Sequence, residues 1–577
     1  MQPDQSPSQV SDIARAQAEH GARGGAQYWR ILINCRMKSD PISPKPTAAV
    51  NPAHAKDRGA SVAGGAYRQK LVTAVCAGIS AIGVALACLT FGCSQFGGFD
   101  HSVLIDIGWR ISQGQHPYVD FPCTVPVWWA YGIGLAFNAL GPSWLTVVLL
   151  QAAFSAVTCI WMYWLIYGIW QDSLRAAMTS IALQAGINLV TSYWWYNTLT
   201  ATAACLVHLS LLRLFSTPSS ASAMCSCAVS MAMLMGSKPN VALPLIAASP
   251  PLLWLATRST KQAVCLPVVA GLLVTAVLAA LEISPMQVIL AYCTVAGRAL
   301  TIETFVSLIR DMDAAQRLMT WILLGVCVAM ALATAVLFRA YRAVPGVIGL
   351  VTCGAAAIGF LTNGEHKLVD LSIVFCALWS TYAVLRIAPQ QPTNTSRLAE
   401  SALDLAFTGL CCLWISYGFY VSATRERVRA IGPFYDAKLS SNLPGTKFFR
   451  SLRCSEEFLN VEAQVARVLN VLEPKNVFFG PRMQWAYAAF DYASPHNEPV
   501  WWHSGVSYGR DQETVMLQAW RANEHDVLIF YRQDATYLSE EMLRDVRIDY
   551  MQVAGAPTLS VFIARKHADA FRQRLEQ

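Results

Sequence analysis

Long apolar runs separated by short polar turns fill the chain from residue 71 to about residue 424, and beyond that the pattern changes to short mixed segments. Hydropathy and run length predict about eleven membrane-spanning helices, at roughly 71–93, 144–168, 176–192, 199–215, 221–236, 241–257, 262–281, 319–338, 345–362, 371–385 and 402–424. A shorter apolar stretch, Val127–Leu140, begins after Pro126 and ends at Gly141-Pro142. Its length suits a helix lying at the interface or dipping into it rather than crossing. Residues 1–66 lack apolar periodicity and read as a disordered tail, with Met37 as a second candidate start. The tail does not have the pattern of a signal peptide, because the first apolar run begins only near Leu71. After residue 425, β-type runs at Val477–Phe479, Val527–Tyr531 and 559–563 alternate with helical stretches at Glu456–Leu472 and 513–521. The expected fold is a multi-pass α-helical membrane protein. It has a tail (1–66), a transmembrane domain (67–424) with an interfacial helix in its first outer loop, and a soluble C-terminal α/β domain (425–577).

Composition agrees with lipid as the solvent. Only 14% of residues are charged and 54% are hydrophobic, against about 25% charged in an ordinary soluble chain. The net charge of +7 does not point to nucleic acid, because the basic excess sits in the tail and in short loops. The 70 residues before the first span carry ten basic residues against five acids, which places the tail in the cytoplasm. With eleven spans, the loops holding Arg175, Arg258 with Lys261, Arg339 with Arg342, and Arg386 with Arg397 share that side. The opposite loops carry Asp100, Asp106 and Asp120, then Glu282, Glu303, Asp311 and Asp313, then Glu365 and Asp370. Arg425, Arg427 and Arg429 run against this assignment, although a long translocated domain weakens the rule there. Most of the 17 cysteines lie in apolar runs, where a thiol packs as a small hydrophobe. No zinc spacing occurs, and Cys454 is alone in the polar part, which argues against a disulfide framework.

The first outer loop, residues 96–141, is the richest in chemistry. A helix through residues 102–112 would have Ile105 and Trp109 on an apolar face, with Gly114 and Pro117 ending it. Asp100 then reads either as that helix's N-cap or as a reactive carboxylate. The spacing of Asp106 and Arg110 predicts an i to i+4 pair, and Asp120 suits a turn. Lys238, between two spans, is either a snorkelling anchor or a cation for a substrate. Tyr193, Trp194, Trp195 and Tyr196 read as an interfacial aromatic belt or a sugar platform. The polar segment 362–367 reads as a solvated turn or as part of a site. His208, Arg213 and Asp404 read as helix-end groups facing cytoplasmic water.

Asp100 just after the first span is followed by an amphipathic helix, then by Gly114, Pro117, Tyr118, Asp120 and Phe121, with Pro126 before an aromatic-rich apolar stretch. This order resembles the first outer loop of the C-type (GT-C) integral-membrane glycosyltransferase superfamily, in its bacterial polyprenyl-phosphate-sugar-dependent type, mannosyltransferase-like or aminoarabinose-transferase-like. Gly236-Ser237-Lys238-Pro239 is similar to a Lys-Gly or Lys-Pro element of that superfamily, and residues 479–503 look like a C-terminal extension of some bacterial members. The resemblance implies an inverting transfer of a hexose or pentose from a polyprenyl-phosphate-linked donor to a lipid or cell-envelope glycan acceptor. The reaction would take place on the outer side of the bacterial inner membrane, with the N-terminus cytoplasmic and the C-terminal domain periplasmic.

Under this resemblance Asp100 is the general base. Lys238, then Arg298, His366 and Lys367, are candidates for the donor phosphate. His101, Asp106, Tyr118, Asp120, Tyr196 and Asn197 form the candidate substrate loop. The chain departs from the pattern where many relatives have Asp-Glu and this one has Asp100-His101, and where the turn at residues 193–197 lacks an acid. No cofactor is implied. Some relatives use a divalent metal, but no outer cluster here offers convincing ligands. The expected partners are the lipid-linked donor, the acceptor and membrane lipids, with no nucleic acid. The alternatives are a polytopic transporter or flippase of lipid-linked substrates, and a catalytically inactive glycan-binding relative. A transporter is expected to carry ionisable or broken-helix sites near mid-membrane, whereas the charges here collect at one face.

Overall fold

The computed structural model describes residues 52–189, 191–295, 343–362, 372–377, 408–420, 439–502, 512–532, 538–553 and 557–576, with residues 325, 404, 405, 434 and 508. The chain divides into two units, residues 1–71 and 72–577. The helices in chain order are α1 (Pro52–Gly92), α2 (Phe99–Ser112), α3 (Val127–Leu140), α4 (Trp144–Trp170), α5 (Ser173–Gln184), α6 (Tyr196–Ser216), α7 (Ala221–Met235), α8 (Pro239–Thr257), α9 (Thr260–Ala280), α10 (Pro285–Val295) and α11 (Ala343–Thr362). Four described helices are long and apolar enough to cross a membrane: Tyr67–Gly92, Trp144–Trp170, Tyr196–Ser216 and Thr260–Ala280.

Their starts follow from local chemistry. Ser143, Asp172, Ser220 and Ser259 each accept a hydrogen bond from a first-turn N–H of the helix they precede, satisfying donors that have no partner within the helix. Burial separates centre from periphery. In its apolar window α6 is 89% buried, whereas that of α9 is 22% buried, so α6 runs through the middle of the bundle and α9 turns most of its surface outward.

The third expected span differs from the sequence reading. Its α-helix ends at Gln184 and the chain continues as a π-helical turn, Ala185–Leu189. There Gln151, Asn188, Gln184 and Thr158 hydrogen-bond to one another in the interior. Such bonds join helices where the surroundings offer no water. The expected span at 319–338 lies outside the described residues apart from Gly325, and those at 371–385 and 402–424 are described only in part.

Towards the C-terminus, α12 (Glu456–Leu472) is capped by Ser455 and leads into a four-stranded sheet. The strands are β1 (Val477–Phe479), β2 (Val527–Tyr531), β3 (Tyr550–Val553) and β4 (Leu559–Ala564), in the order β1-β2-β4-β3. β1 and β2 pair in parallel and the other neighbours are antiparallel. The segment preceding and entering this sheet shares one apolar core with the first loop. Phe96, Ile105, Trp129, Trp144 and Tyr193 pack in the same cluster as Phe434, Phe449, Phe458 and Trp485. The first loop and the C-terminal segment therefore lie on one face of the bundle.

Candidate active site

Asp100 owes its place to two glycines. Gly98, at φ +96°, is the N-cap of α2 and offers no side-chain cap, so Asp100 lies inside the first turn and is not the cap. A Cβ at Gly98 would meet the Phe434 ring at 2.4 Å. Only glycine combines that backbone with that clearance. Gly97 donates its N–H to Nδ1 of His101 at 2.7 Å, fastening the turn that presents Asp100. The His101 ring is buried among Phe96, Trp144, Tyr193 and Trp195, with the Tyr193 centroid 4.3 Å away. His101 therefore faces the interior and not an open substrate space. Gly98→Ala should destabilise the protein through left-handed backbone strain of about 1–2 kcal/mol and overpacking of about 1–3 kcal/mol. Thermal unfolding of the purified variant measures this, and an unchanged midpoint would refute the account.

The second centre is the turn from α7 to α8. Gly236 lies under the Trp128 indole so closely that a Cβ would come within 1.7 Å of Nε1. Ser237 donates to the Leu234 carbonyl at 2.7 Å. Lys238 follows as the N-cap residue of α8, with Pro239 at the first helical position. Its backbone N–H donates to Thr200 Oγ1 at 3.2 Å, and its ammonium lies 3.4 Å from Asn197 Oδ1 and 5.3 Å above the Tyr196 ring. Tyr196 and Asn197 open α6, whose N-terminus also lacks a side-chain cap. Two helix N-termini and an ammonium thus meet at one place. The positive end of a helix disfavours a cation by about 0.3–1 kcal/mol and favours an anion by a similar amount. Beside them the Trp129 indole packs edge-on to Tyr196 at 6.0 Å, and its buried N–H has no acceptor among the described residues.

A continuous train of rings joins the two centres. His101 packs on Tyr193, Tyr193 on Trp195 at 5.8 Å, and Trp195 on Tyr196 at 4.6 Å, below the Lys238 ammonium. Tyr193, Trp194 and Trp195 are each at most 5% exposed. They form neither a lipid-facing belt nor an open sugar platform. Trp194 donates its indole N–H to the Trp129 carbonyl at 2.8 Å.

The remaining sequence candidates are spread out. Asp106 pairs with Arg110 at 2.9 Å with both side chains fully enclosed. Burial pushes its carboxyl above the ordinary carboxylate range, against the opposing pull of Arg110 and Ser494. Tyr118 and Asp120 lie beyond the far end of α2, roughly 20 Å along its axis from Asp100. Asp120 accepts the His116 N–H at 2.6 Å, as a turn residue does. Both line a separate cleft of about 420 Å³ with Gln287, Asn497 and Gln512. Arg298, His366 and Lys367 lie outside the described residues. His208 does not face water: it is 1% exposed and bonds Thr352 Oγ1 at 2.8 Å. Asp404 pairs with Arg175 at 2.8 Å, and Arg213 donates to the Gly168 carbonyl. Among the described residues no three His, Cys, Asp or Glu side chains group as metal ligands.

Three solved structures are similar to the chain. One is ArnT from Cupriavidus metallidurans bound to undecaprenyl phosphate, at TM-score 0.43 and 12% identity, covering 86% of this chain and 98% of that one. The second is an oligosaccharyltransferase from Archaeoglobus fulgidus in complex with zinc and sulfate, at TM-score 0.41 and 12% identity, covering 78% and 68%. The third is the apo state of the same ArnT, at TM-score 0.38 and 11% identity, covering 84% and 97%. No family model and no curated protein matches the sequence. Likenesses this distant carry no weight for function beside the chain's own residues.

Proposed function

We propose that the protein transfers a sugar from a polyprenyl-phosphate-linked donor to a lipid or cell-envelope glycan acceptor, at the outer face of the bacterial inner membrane. An acceptor hydroxyl attacks the anomeric carbon while the Asp100 carboxylate takes its proton. The new C–O bond forms as the bond to the phosphate oxygen breaks, and the polyprenyl phosphate leaves with the electron pair. Attack opposite the leaving group inverts the anomeric centre. The Lys238 ammonium, with the N-termini of α6 and α8, meets the charge that develops on the departing phosphate.

The observation that carries this reading is the convergence of Lys238 with the N-termini of α6 and α8, at Tyr196 and Pro239, whose N-cap residues Trp195 and Lys238 supply no side-chain cap. A cation at the positive end of a helix works against local stability and suits an anionic ligand. The ring train from Tyr196 back to His101, next in sequence to Asp100, is the second support.

The direct test supplies membranes containing the protein with isotope-labelled polyprenyl-phosphate sugars, and follows loss of labelled donor and release of polyprenyl phosphate. Donor-independent transfer, or no turnover of any such donor, would end the proposal. Sidedness is a separate test. Val119 and Ile548 are 50% and 60% exposed, so single cysteines there, in a background without native thiols, should both react with a membrane-impermeant reagent in intact cells. Labelling of the tail while neither position labels would reverse the orientation and refute outer-face chemistry.

A further inference from the structure

The face of α2 that carries Asp106 and Arg110 is closed off by a loop almost 400 residues later in the chain. Arg110 Nε donates to Asp106 at 2.9 Å, and its Nη1 reaches the carbonyls of Pro495 at 2.7 Å and Glu498 at 3.2 Å. Ser494 donates its hydroxyl to the other Asp106 oxygen at 2.5 Å, and its carbonyl accepts from Gln115 at 3.0 Å. The Trp109 indole donates to the Tyr492 carbonyl at 2.8 Å, and near the Asp100 end Ser102 donates to the Arg482 carbonyl. The loop is itself anchored to the sheet. The Glu498 carboxylate holds Asn523 and His525, each at 2.8 Å, just before β2.

A buried ion pair adds little net stability compared with apolar side chains of the same volume, and its best-attested use is to fix one arrangement among several. Arg110 is 1% exposed and stands ten residues from Asp100, about 15 Å along the helix axis, so it touches no reacting atom. At that distance a tilt of about 4° about the Arg110 end moves the Asp100 end by about 1 Å, a misplacement of the size that costs about 10²-fold in rate.

We infer that Arg110 is a positioning residue through which the C-terminal segment, residues 482–498, aims α2 and hence the Asp100 carboxylate. The C-terminal part of the chain is then a component of the active site and not an appendage. The inference about rate rests on the proposed transfer reaction; the inference about the helix does not.

The test uses the full-length protein in lipid nanodiscs, comparing wild type with Arg110→Met, Arg110→Lys and Ser494→Ala. Hydrogen exchange of residues 99–112 should rise at least tenfold in Arg110→Met while residues 144–170 keep their protection. In the transfer assay kcat should fall about 10²-fold with the donor KM within about twofold, and Arg110→Lys should lie between the two. A merely structural role would instead loosen the whole fold and leave kcat of the folded fraction unchanged. Unchanged exchange at 99–112 in folded Arg110→Met overturns the inference, as does a rise in KM at constant kcat. If Arg110→Met does not fold, Ser494→Ala decides, with exchange at 99–112 expected to rise at least threefold and an unchanged value counting against the inference. If the wild type turns over no lipid-linked sugar, the transfer reading fails while the exchange result still reports on the helix.

Discussion

Asp100→Asn is expected to lower sugar transfer by about 10²–10⁴-fold, the range lost when a positioned proton acceptor is removed, with the protein still folded. The two side chains have nearly the same shape, and the carboxamide cannot take the acceptor's proton at neutral pH. The fold does not depend on this carboxylate as a cap, because Gly98 holds that position. Within the first turn of α2 the substitution gives up the favourable placement of a negative charge, worth about 0.3–1 kcal/mol. Thermal stability should therefore change little, and the donor KM should stay near its wild-type value. A transporter, or a glycan-binding protein without catalysis, would lose nothing by the substitution. Transfer at the wild-type rate in folded Asp100→Asn would remove Asp100 from the mechanism.

How far the sequence could be read depends on which atoms carry the information. Val127–Leu140, Glu456–Leu472, β1 and β2 fall where the pattern put them. Their ends are marked by side chains: Pro126 and Gly141 bound the first, and Ser455 caps the second. The pairing of Asp106 with Arg110 was legible from i to i+4 spacing.

The clamp on α2 was not legible, because most of its acceptors are the backbone carbonyls of Tyr492, Ser494, Pro495 and Glu498. Every residue has a carbonyl, so no residue type announces it. Strand β3 escaped for a related reason: Tyr550–Val553 is a short edge strand that follows a helix without a turn signal. The aromatic run at 193–196 misled because composition cannot tell an interfacial belt from a packed interior. The buried Tyr193 and Trp195 are explained only once α2 brings His101 against them.

Lys238→Met separates the two readings of that lysine by moving activity and stability independently. As a snorkelling anchor, the residue would matter to helix placement and hardly to rate. As the cation at the leaving phosphate, it should cost about 10²–10³-fold in kcat when removed, the loss typical of deleting one preorganised group from a site of developing charge. Stability should hardly fall, and the signs explain why. The substitution removes a positive charge from the N-terminus of α8, a gain of about 0.3–1 kcal/mol. It also loses the contact with the Tyr196 ring, of about 0.5–1 kcal/mol, and the long contact to Asn197. Among the described contacts the gain and the losses are of similar size, and the methionine keeps the apolar stem against its neighbours. Lys238→Arg should recover part of the rate, since it restores the charge with a different geometry. Inhibition by free polyprenyl phosphate should weaken in Lys238→Met and return in Lys238→Arg. Wild-type kcat together with wild-type inhibition in Lys238→Met would leave Lys238 as an anchor and remove the phosphate site from the proposed mechanism.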